Sequence, residues 1–369
     1  MDLLNVKNMK KIFKEFVKQP TTSYTSVYNA ITKNYDTPVT SLGEFKHYED
    51  KWKRHPELFK KGFEPYTHSE SNPGFYHVAS ANYYVYERKH RIYINPSVEM
   101  RAKFVHVFMK ECLTEGVEFY FKYARGDYRT DNFLIYASDQ QLEQYSKILT
   151  KIESEHPELV KSCHNTPLAA TSTGWWAYGP EDNSSEKGSL SQRVSKIVRK
   201  NITKTFVENR HLFKESEITP QSIQKLFEAC IEYKASKIKD SAGRDVFRQT
   251  KHEELKQAFF NAVPNLAKFV LGTEISDEAI ENDLPLVSIV AEDGETLEIT
   301  PSAISTLLAG QRPHFSSFEE KDEIYKILTD RCGTEINAQG LAPAIPDELE
   351  RVLPNNVQNT WGFGQNWKP

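Results

Sequence analysis

Cationic side chains recur where predicted strands and helices begin and end. Arg91 opens one predicted strand, Lys122 lies within the next, Arg125 and Arg129 occupy the loop after it, and Arg193 begins a later helix. Planar guanidinium groups bind phosphate through paired hydrogen bonds, so several Arg side chains close together can hold a phosphate group. A Lys among them would have a lowered pKa, because burial and neighbouring positive charge both disfavour its protonated form. These residue types therefore favour a local anion site that contains a possible base.

The surroundings of Lys122 are unusual for a lysine. It lies in an aromatic run, 117–123, in which alternation places Tyr120 and Lys122 on one face of a strand and Phe119, Phe121 and Tyr123 on the other. Two interpretations follow. Lys122 either belongs to a functional site, or it extends its ammonium group to solvent from the exposed face of a strand.

Other catalytic patterns are absent from the sequence. There is no nucleophile elbow, no Gly-rich nucleotide loop, no zinc-protease helix motif and no dinucleotide-binding fingerprint. The eleven histidines show no metal-ligand spacing, and the four cysteines fit the pattern of buried core residues. The sequence therefore predicts neither a metal nor an organic cofactor.

Composition bounds the class of protein. With 38% hydrophobic and 12% aromatic residues, the 369-residue chain can form a sizeable core, and its formal charge of -4 gives no general attraction to nucleic acid or to an acidic membrane. The N-terminal residues form an amphipathic pattern rather than a signal peptide, and no apolar run approaches the ~20 residues of a membrane span. We expect a cytoplasmic protein, or one that is exported without such a signal.

Strand and helix patterns alternate in the middle of the chain. Short aromatic and β-branched runs predict strands at 74–79, 83–86, 90–95, 117–123 and 132–136. Apolar residues at helical spacing predict a helix over 98–114, with Ser97 as its cap and Gly116 after its end, and a second helix from Gln140. This order of elements predicts an α+β fold in which helices flank a central sheet.

The pattern divides the chain into four regions. We predict a helical N-terminal region over 1–70, an α/β-layered core over 71–205, a mainly helical region over 206–340 and a poorly ordered tail over 341–369. Within the core, residues 167–188 are rich in Gly, Ser, Thr, Asn and Pro and predict a long loop that carries Trp175 and Trp176. That loop would close over a ligand or pack as an exposed loop. A further strand is predicted near 286–290.

A series of short motifs resembles the core of the HopA-type effector family. In order along the chain they are a P-G-F-Y strand at 73–76, an R-hydrophobic-Y-hydrophobic-N strand at 91–95, an aromatic-Lys pair at 121–122, an R-x-D segment that ends in Tyr at 129–136, a P-L-A segment at 167–169, a Gly-rich loop over 174–188, and S-hydrophobic-x-x-R at 189–193. The resemblance covers about a third of the chain and depends on the order and spacing of the motifs.

This family is similar in fold to the phosphothreonine lyases, and the resemblance implies their chemistry. Its members include the LanY-type lyases of class V lanthipeptide and thioamitide pathways. There a separate kinase phosphorylates Ser or Thr of a precursor peptide, the lyase eliminates phosphate to leave dehydroalanine or dehydrobutyrine, and a cyclase can follow. Such an enzyme would need no cofactor, nucleic acid or membrane as partner.

The resemblance also implies roles for particular residues. Lys122 resembles the base of the lyases, and Tyr136 resembles an active-site tyrosine that orients other groups. Arg129 and Arg193 resemble phosphate-clamping arginines. We predict that Arg91 and, in the same loop as Arg129, Arg125 also bind the phosphate.

The chain departs from the lyase pattern at one point. The lyases carry a K-x-H pair on the first core strand, whose His is the general acid, whereas Arg91 and Tyr93 occupy the corresponding positions here. Tyr93, His77 or simple neutralisation of the phosphate by arginine could take over the role of the acid. The departure also leaves two other functions open: a secreted virulence effector that acts on host phosphoproteins, and a module that binds phosphopeptides without reacting.

Overall fold

The computed structural model describes residues 6–18, 25–32, 43–66, 75–84, 88–124, 129–164, 171–172, 175–181, 189–311 and 318–338. The helices within these residues are α1 Val6–Lys18, α2 Thr25–Thr32, α3 Gly43–Trp52, α4 Val98–Thr114, α5 Asp139–Glu155, α6 Pro157–Lys161, α7 Leu190–Glu208, α8 Pro220–Lys237, α9 Ser241–Ala262, α10 Leu266–Gly272, α11 Asp277–Asn282, α12 Pro301–Gly310 and α13 Phe318–Ala338. The strands are β1 Tyr76–Ala79, β2 His90–Ile94, β3 Tyr120–Tyr123, β4 Phe133–Ala137, β5 Thr171–Ser172, β6 Trp176–Pro180, β7 Val287–Val290 and β8 Thr296–Ile299. This mixture of helices and antiparallel strands confirms the predicted α+β class.

The chain forms two compact units. The first consists mainly of Ile31–Ser191, and the second combines Gln192–Ile336 with the N-terminal segment Asp2–Ala30. The division into four regions made from the sequence stays a prediction, and its proposed tail lies outside the described residues.

The first unit is built on an antiparallel sheet with the strand order β1-β3-β4-β2-β6-β5. Because side chains alternate along each strand, one face of this sheet is apolar, and α4 and α5 pack against it. Phe108 of α4 meets Phe121 and Phe133 edge-on, with ring centroids 5.5 and 5.4 Å apart. The core thereby fixes which face of β3 and β4 points away from these helices.

The helices that cover the sheet follow the sequence pattern closely. Helix α4 spans the predicted residues, and Gly116 after it adopts a left-handed φ of 65° that suits a residue without a side chain. Ser97 occupies the N-cap position of α4, but its side chain makes no capping hydrogen bond, so that part of the prediction was wrong. The reciprocal cap lies at α5 instead, where Ser138 and Gln141 each bond the other's backbone N–H.

The prediction of a long loop over 167–188 was wrong for its described residues, 171–172 and 175–181. Residues 175–181 include strand β6, and both Trp175 and Trp176 are buried in the core. Gly179 and Pro180 give this strand the composition of a loop. A Cβ at Gly179 would lie 2.4 Å from Cδ2 of Leu190, so any larger residue there would displace the Leu190 side chain. The two tryptophans are therefore core residues and do not form a lid.

The other predicted strands agree in part. Tyr83 and Tyr84 follow a turn and are not in a strand, while residues 85–87 lie outside the described part of the chain. In the second unit, β7 confirms the strand near 286–290, and it pairs with β8, which the sequence pattern did not reveal. The other elements of that unit within the described residues are helices, and α8 packs on α9 and α12. Within the described residues, no helix is both long enough and apolar enough to cross a bilayer.

Candidate functional site

The second face of the sheet in the first unit carries charged and phenolic side chains. His77, Lys122, Leu134 and Tyr93 form one row across β1, β3, β4 and β2, since each is the register partner of the next. Arg91 lies two residues from Tyr93 on β2 and therefore on the same face. The predicted orientation of Lys122 is confirmed, and it faces away from the apolar core.

A second row lies beside the first. Arg91 is opposite Tyr136 on β4 and opposite Gly179 on β6, and the ring of Tyr136 stacks on Tyr120 of β3 with centroids 4.8 Å apart. Lys122 and Arg91 are on strands separated only by β4, so two strand spacings of about 5 Å each, and an offset of two residues along the strands, lie between them. Long cationic side chains can approach each other across that interval.

Lys122 lies in a largely buried environment that disfavours its charge. Its Nζ is 4.2 Å from the centroid of the Phe75 ring, and the guanidinium carbon of Arg129 is 5.1 Å from the same centroid. Burial lowers the pKa of Lys122 to about 8, and the positive charges of Arg91 and Arg129 contribute, although the carboxylate of Asp131 opposes them. About a tenth of the amine is therefore neutral at pH 7, where an ordinary Lys is almost fully protonated.

Two arginines near Lys122 are already paired with carboxylates. Arg129 donates from Nε and from a terminal nitrogen to the two oxygens of Asp131, at 2.7 and 2.9 Å. Arg91 donates from a terminal nitrogen to one oxygen of Glu181, and its Nε forms an ion pair with the other oxygen. Burial raises the pKa of Asp131 despite the ion pair, which shows how little solvent reaches this group. Asp131 and Glu181 were not predicted as site residues.

The tyrosines of this face remain protonated. Burial raises the pKa of Tyr136 to about 12 and also raises that of Tyr93. The Tyr93 hydroxyl is fully buried and has no hydrogen-bond partner among the described residues. A protonated hydroxyl without a partner is a hydrogen-bond donor that an anionic ligand could satisfy.

Arg88 is a further cation that sequence reasoning missed. Its guanidinium carbon lies 4.6 Å from the ring centroid of Tyr120 and 5.1 Å from that of Tyr136. Arg91 lies 5.1 Å from the centroid of Tyr136 as well. Two guanidinium groups are thus within cation–π distance of the Tyr136 ring.

His77 is neutral in this setting. Its Nδ1 lies 2.8 Å from the hydroxyl of Tyr120, and its Nε2 is buried without a hydrogen-bond partner in the described part of the chain. Burial lowers the pKa of His77 to about 4, and the charges of Lys122 and Arg88 add to the effect. At neutral pH the ring can donate or accept a hydrogen bond but does not carry the proton of an imidazolium acid.

The charges of this face favour a dianion. We name the group formed by Arg88, Arg91, Lys122, Arg129, Asp131 and Glu181 the basic cluster. Four cations and two carboxylates leave it a formal charge of +2 when Lys122 is protonated. A phosphate monoester carries nearly two negative charges at pH 7, so it would neutralise the cluster.

Two predicted site residues are not placed by the first unit's described residues. Arg193 lies in the first turn of α7 and belongs to the second unit, and its proposed role stays a prediction. Arg125 lies outside the described residues. The structure therefore brings together His77, Arg91, Tyr93, Lys122, Arg129 and Tyr136. Within the described residues, no group of His, Cys, Asp and Glu side chains is arranged to hold a metal ion.

Comparison with known proteins gives a distant structural likeness. No family profile matches the chain, and no curated protein matches it. Among solved structures, it is similar to an effector protein from Pseudomonas syringae pv. syringae strain 61, with 15% sequence identity and a TM-score of 0.37, over 53% of this chain and 88% of that one. At that level the similarity is to a bacterial effector structure only in a distant sense, and it does not establish a family.

Proposed function

We propose that the first unit binds the phosphorylated side chain of a Ser or Thr residue in a peptide and eliminates its phosphate. The observation that carries this proposal is Lys122, a largely buried lysine whose pKa is lowered to about 8, in part by the charges of two ion-paired arginines, Arg91 and Arg129. Perturbed lysines of this kind are common at functional sites because a Lys base needs a pKa near the working pH.

The reaction would use the neutral amine of Lys122 as its base. The amine accepts the α-hydrogen of the phosphorylated residue, and the electrons of that C–H bond form a double bond between Cα and Cβ. The Cβ–O bond breaks, and its electron pair leaves with the phosphate. The products are an alkene, dehydroalanine from Ser or dehydrobutyrine from Thr, together with inorganic phosphate.

The other residues would stabilise the leaving group. Arg91 and Arg129 supply planar donors for the phosphate oxygens, and the buried Tyr93 hydroxyl supplies a further donor. Because the pKa of His77 is lowered to about 4, we assign it a hydrogen-bonding role and not that of a cationic acid. Charge neutralisation by arginine, with donation from Tyr93, then replaces the histidine acid of the lyase pattern.

The same chemistry fits more than one biological setting. A peptide that a separate Ser/Thr kinase has phosphorylated is the substrate class both in a lanthipeptide-type pathway and for a secreted effector that acts on host phosphoproteins. Our proposal commits to the first setting, with a precursor peptide and a partner kinase. Peptides that carry the precursor's own sequence should then react faster than unrelated phosphopeptides.

A second candidate function is binding without reaction. It is favoured by the carboxylates, since Asp131 and Glu181 already occupy Arg129 and Arg91. The experiment that separates the two functions compares peptides that contain phosphoserine, phosphothreonine or phosphotyrosine. A lyase releases phosphate from the first two only, because an aryl phosphate cannot undergo this elimination. A general phosphatase releases it from all three, and a binding module from none.

The pH dependence of the rate follows from the pKa of Lys122. The active form is the neutral amine, so kcat/KM should rise as the pH increases and level off above about 8. Between pH 7 and pH 9 the neutral fraction grows about tenfold, and the rate should grow with it. A stopped assay of released phosphate over this range checks the prediction. A profile that is flat, or one that falls as the pH rises, would show that Lys122 is not the base.

A further inference from the structure

Glu181 reaches the basic cluster from the end of strand β6. Its backbone N–H donates to the carbonyl of Lys89 at 2.7 Å, which continues the pairing of β6 with β2 by one residue. Alternation along β6 places Glu181 on the same face as Gly179, which is the register partner of Arg91. Leu190 fills the space that a Cβ of Gly179 would take, and the carboxylate of Glu181 reaches Arg91 from two residues further along the chain.

The contact of Glu181 with Arg91 is the kind that a phosphate would make. Two carboxylate oxygens meet Nε and a terminal nitrogen of the guanidinium group, and both side chains are only 13–14% exposed. Two phosphate oxygens bind the same fork in the same way. An incoming phosphate and Glu181 carry charge of the same sign and would compete for the same donors, so both cannot bind them at once at full strength.

The ion pair of Asp131 with Arg129 differs from that of Glu181 with Arg91. Asp131 is only two residues from Arg129, has a shorter side chain and is buried, so the chain itself holds this pair in place. Glu181 comes from a different strand than Arg91 and has one more rotatable bond than an Asp. Turning it away exposes a complete guanidinium fork without moving the backbone.

We infer that Glu181 is an internal competing anion, which occupies the phosphate position of Arg91 in the empty site and is displaced when a phosphate group binds. This inference rests on the proposed phosphate site and adds a residue that determines its selectivity. A dianion gains enough from the cluster to displace Glu181, whereas a monoanion such as formate gains less. Glu181 therefore favours phosphate monoesters over the common singly charged anions.

The test is the affinity of Glu181→Gln for inorganic phosphate, measured by calorimetry at constant ionic strength. The substitution keeps the shape of the side chain and removes its charge. We expect phosphate to bind about tenfold more tightly than to the wild type, since one competing charge-assisted contact is removed. Formate affinity should rise by at least the same factor, so that the preference for phosphate does not increase.

Asp139→Asn is the matched control. Asp139 pairs with Lys89 at 2.8 Å and with His90 at 2.7 Å, beside the start of the same strand β2, but it makes no contact with Arg91. This variant changes the net charge equally and should leave phosphate affinity within about twofold, because its exposed ion pairs are weak. Thermal unfolding of both variants shows whether either has lost its fold.

The opposite result has a clear meaning. If folded Glu181→Gln binds phosphate no better than the wild type, or worse, Glu181 serves to position Arg91 and the inference is overturned. If neither protein binds phosphate at all, the inference is overturned as well. Elimination is measured separately. A lyase whose phosphate affinity is unaffected by Glu181→Gln disproves the inference alone, whereas tighter phosphate binding without elimination disproves the proposed reaction alone.

Discussion

Replacement of Lys122 by Ala is expected to lower the rate constant of phosphate elimination by about 10²–10⁴, the usual contribution of a general base. Binding of the phosphopeptide should weaken by a much smaller factor, because a base acts in the transition state and the arginines hold the phosphate in the ground state as well. Single-turnover release of phosphate gives the rate constant, and calorimetry gives the Kd.

Two controls make this result specific. Lys122→Met preserves most of the side-chain volume against Phe75 and should be as inactive as the Ala variant, which excludes loss of packing as the cause. Lys89→Ala removes a lysine that is exposed and paired with Asp139, and it should keep nearly full activity. A Lys122→Ala protein that retained more than about a tenth of the wild-type rate would contradict the assignment.

The second large effect is expected in the affinity for a phosphopeptide when Arg91 is replaced. Arg91→Gln should weaken the affinity for a phosphopeptide about ten- to a hundredfold, since a charge-assisted bidentate contact is lost. The loss also leaves Glu181 as an uncompensated negative charge near the phosphate. Calorimetric titration of the variant with a phosphoserine peptide measures the change.

The double variant Arg91→Gln/Glu181→Gln separates these two causes. It removes both charges of the pair, so its affinity should lie between that of Arg91→Gln and that of the wild type. Unfolding by urea should show the double variant to be at least as stable as Arg91→Gln, because a lone buried charge is destabilising. Wild-type affinity in the single variant would exclude Arg91 from the phosphate site.

Local patterns were sufficient to predict the framework of the site. The alternation of aromatic residues around Lys122 assigned it correctly to the face opposite the core, because apolar side chains on a strand must all be buried on one side. The helical spacing of 98–114 located α4, which covers that core. Arg91 and Tyr93, identified from the family pattern, lie two residues apart on one face of β2.

The partners of the arginines could not be predicted in this way. Glu181 follows a strand whose Gly179 and Pro180 resemble a loop, so neither its strand nor its face was evident from composition. Pairing of β6 with β2 joins residues 90 positions apart in the chain, and nothing in the local sequence specifies that contact. Asp131 is close in sequence, only two residues from Arg129, but an R-x-D segment does not by itself show that the two side chains pair.

For the two tryptophans, the local composition led to a wrong prediction. Two adjacent aromatic residues among Gly, Ser and Asn suggest an exposed ligand-binding loop, whereas Trp175 and Trp176 are both core residues of the first unit. Long-range packing determined their position, and the local composition misrepresented it. Because of the same composition, strand β6, which places Glu181 beside Arg91, was not predicted.

The mass of a phosphoserine or phosphothreonine peptide after incubation with the protein tests the central proposal most directly. Elimination removes the elements of phosphoric acid and leaves an alkene, which a thiol reagent then adds to, and this is the result we predict. A product with the mass of the unmodified alcohol would mean hydrolysis by a phosphatase. A peptide that binds tightly to the wild-type protein yet keeps its phosphate would show that the basic cluster is a binding site without lyase activity.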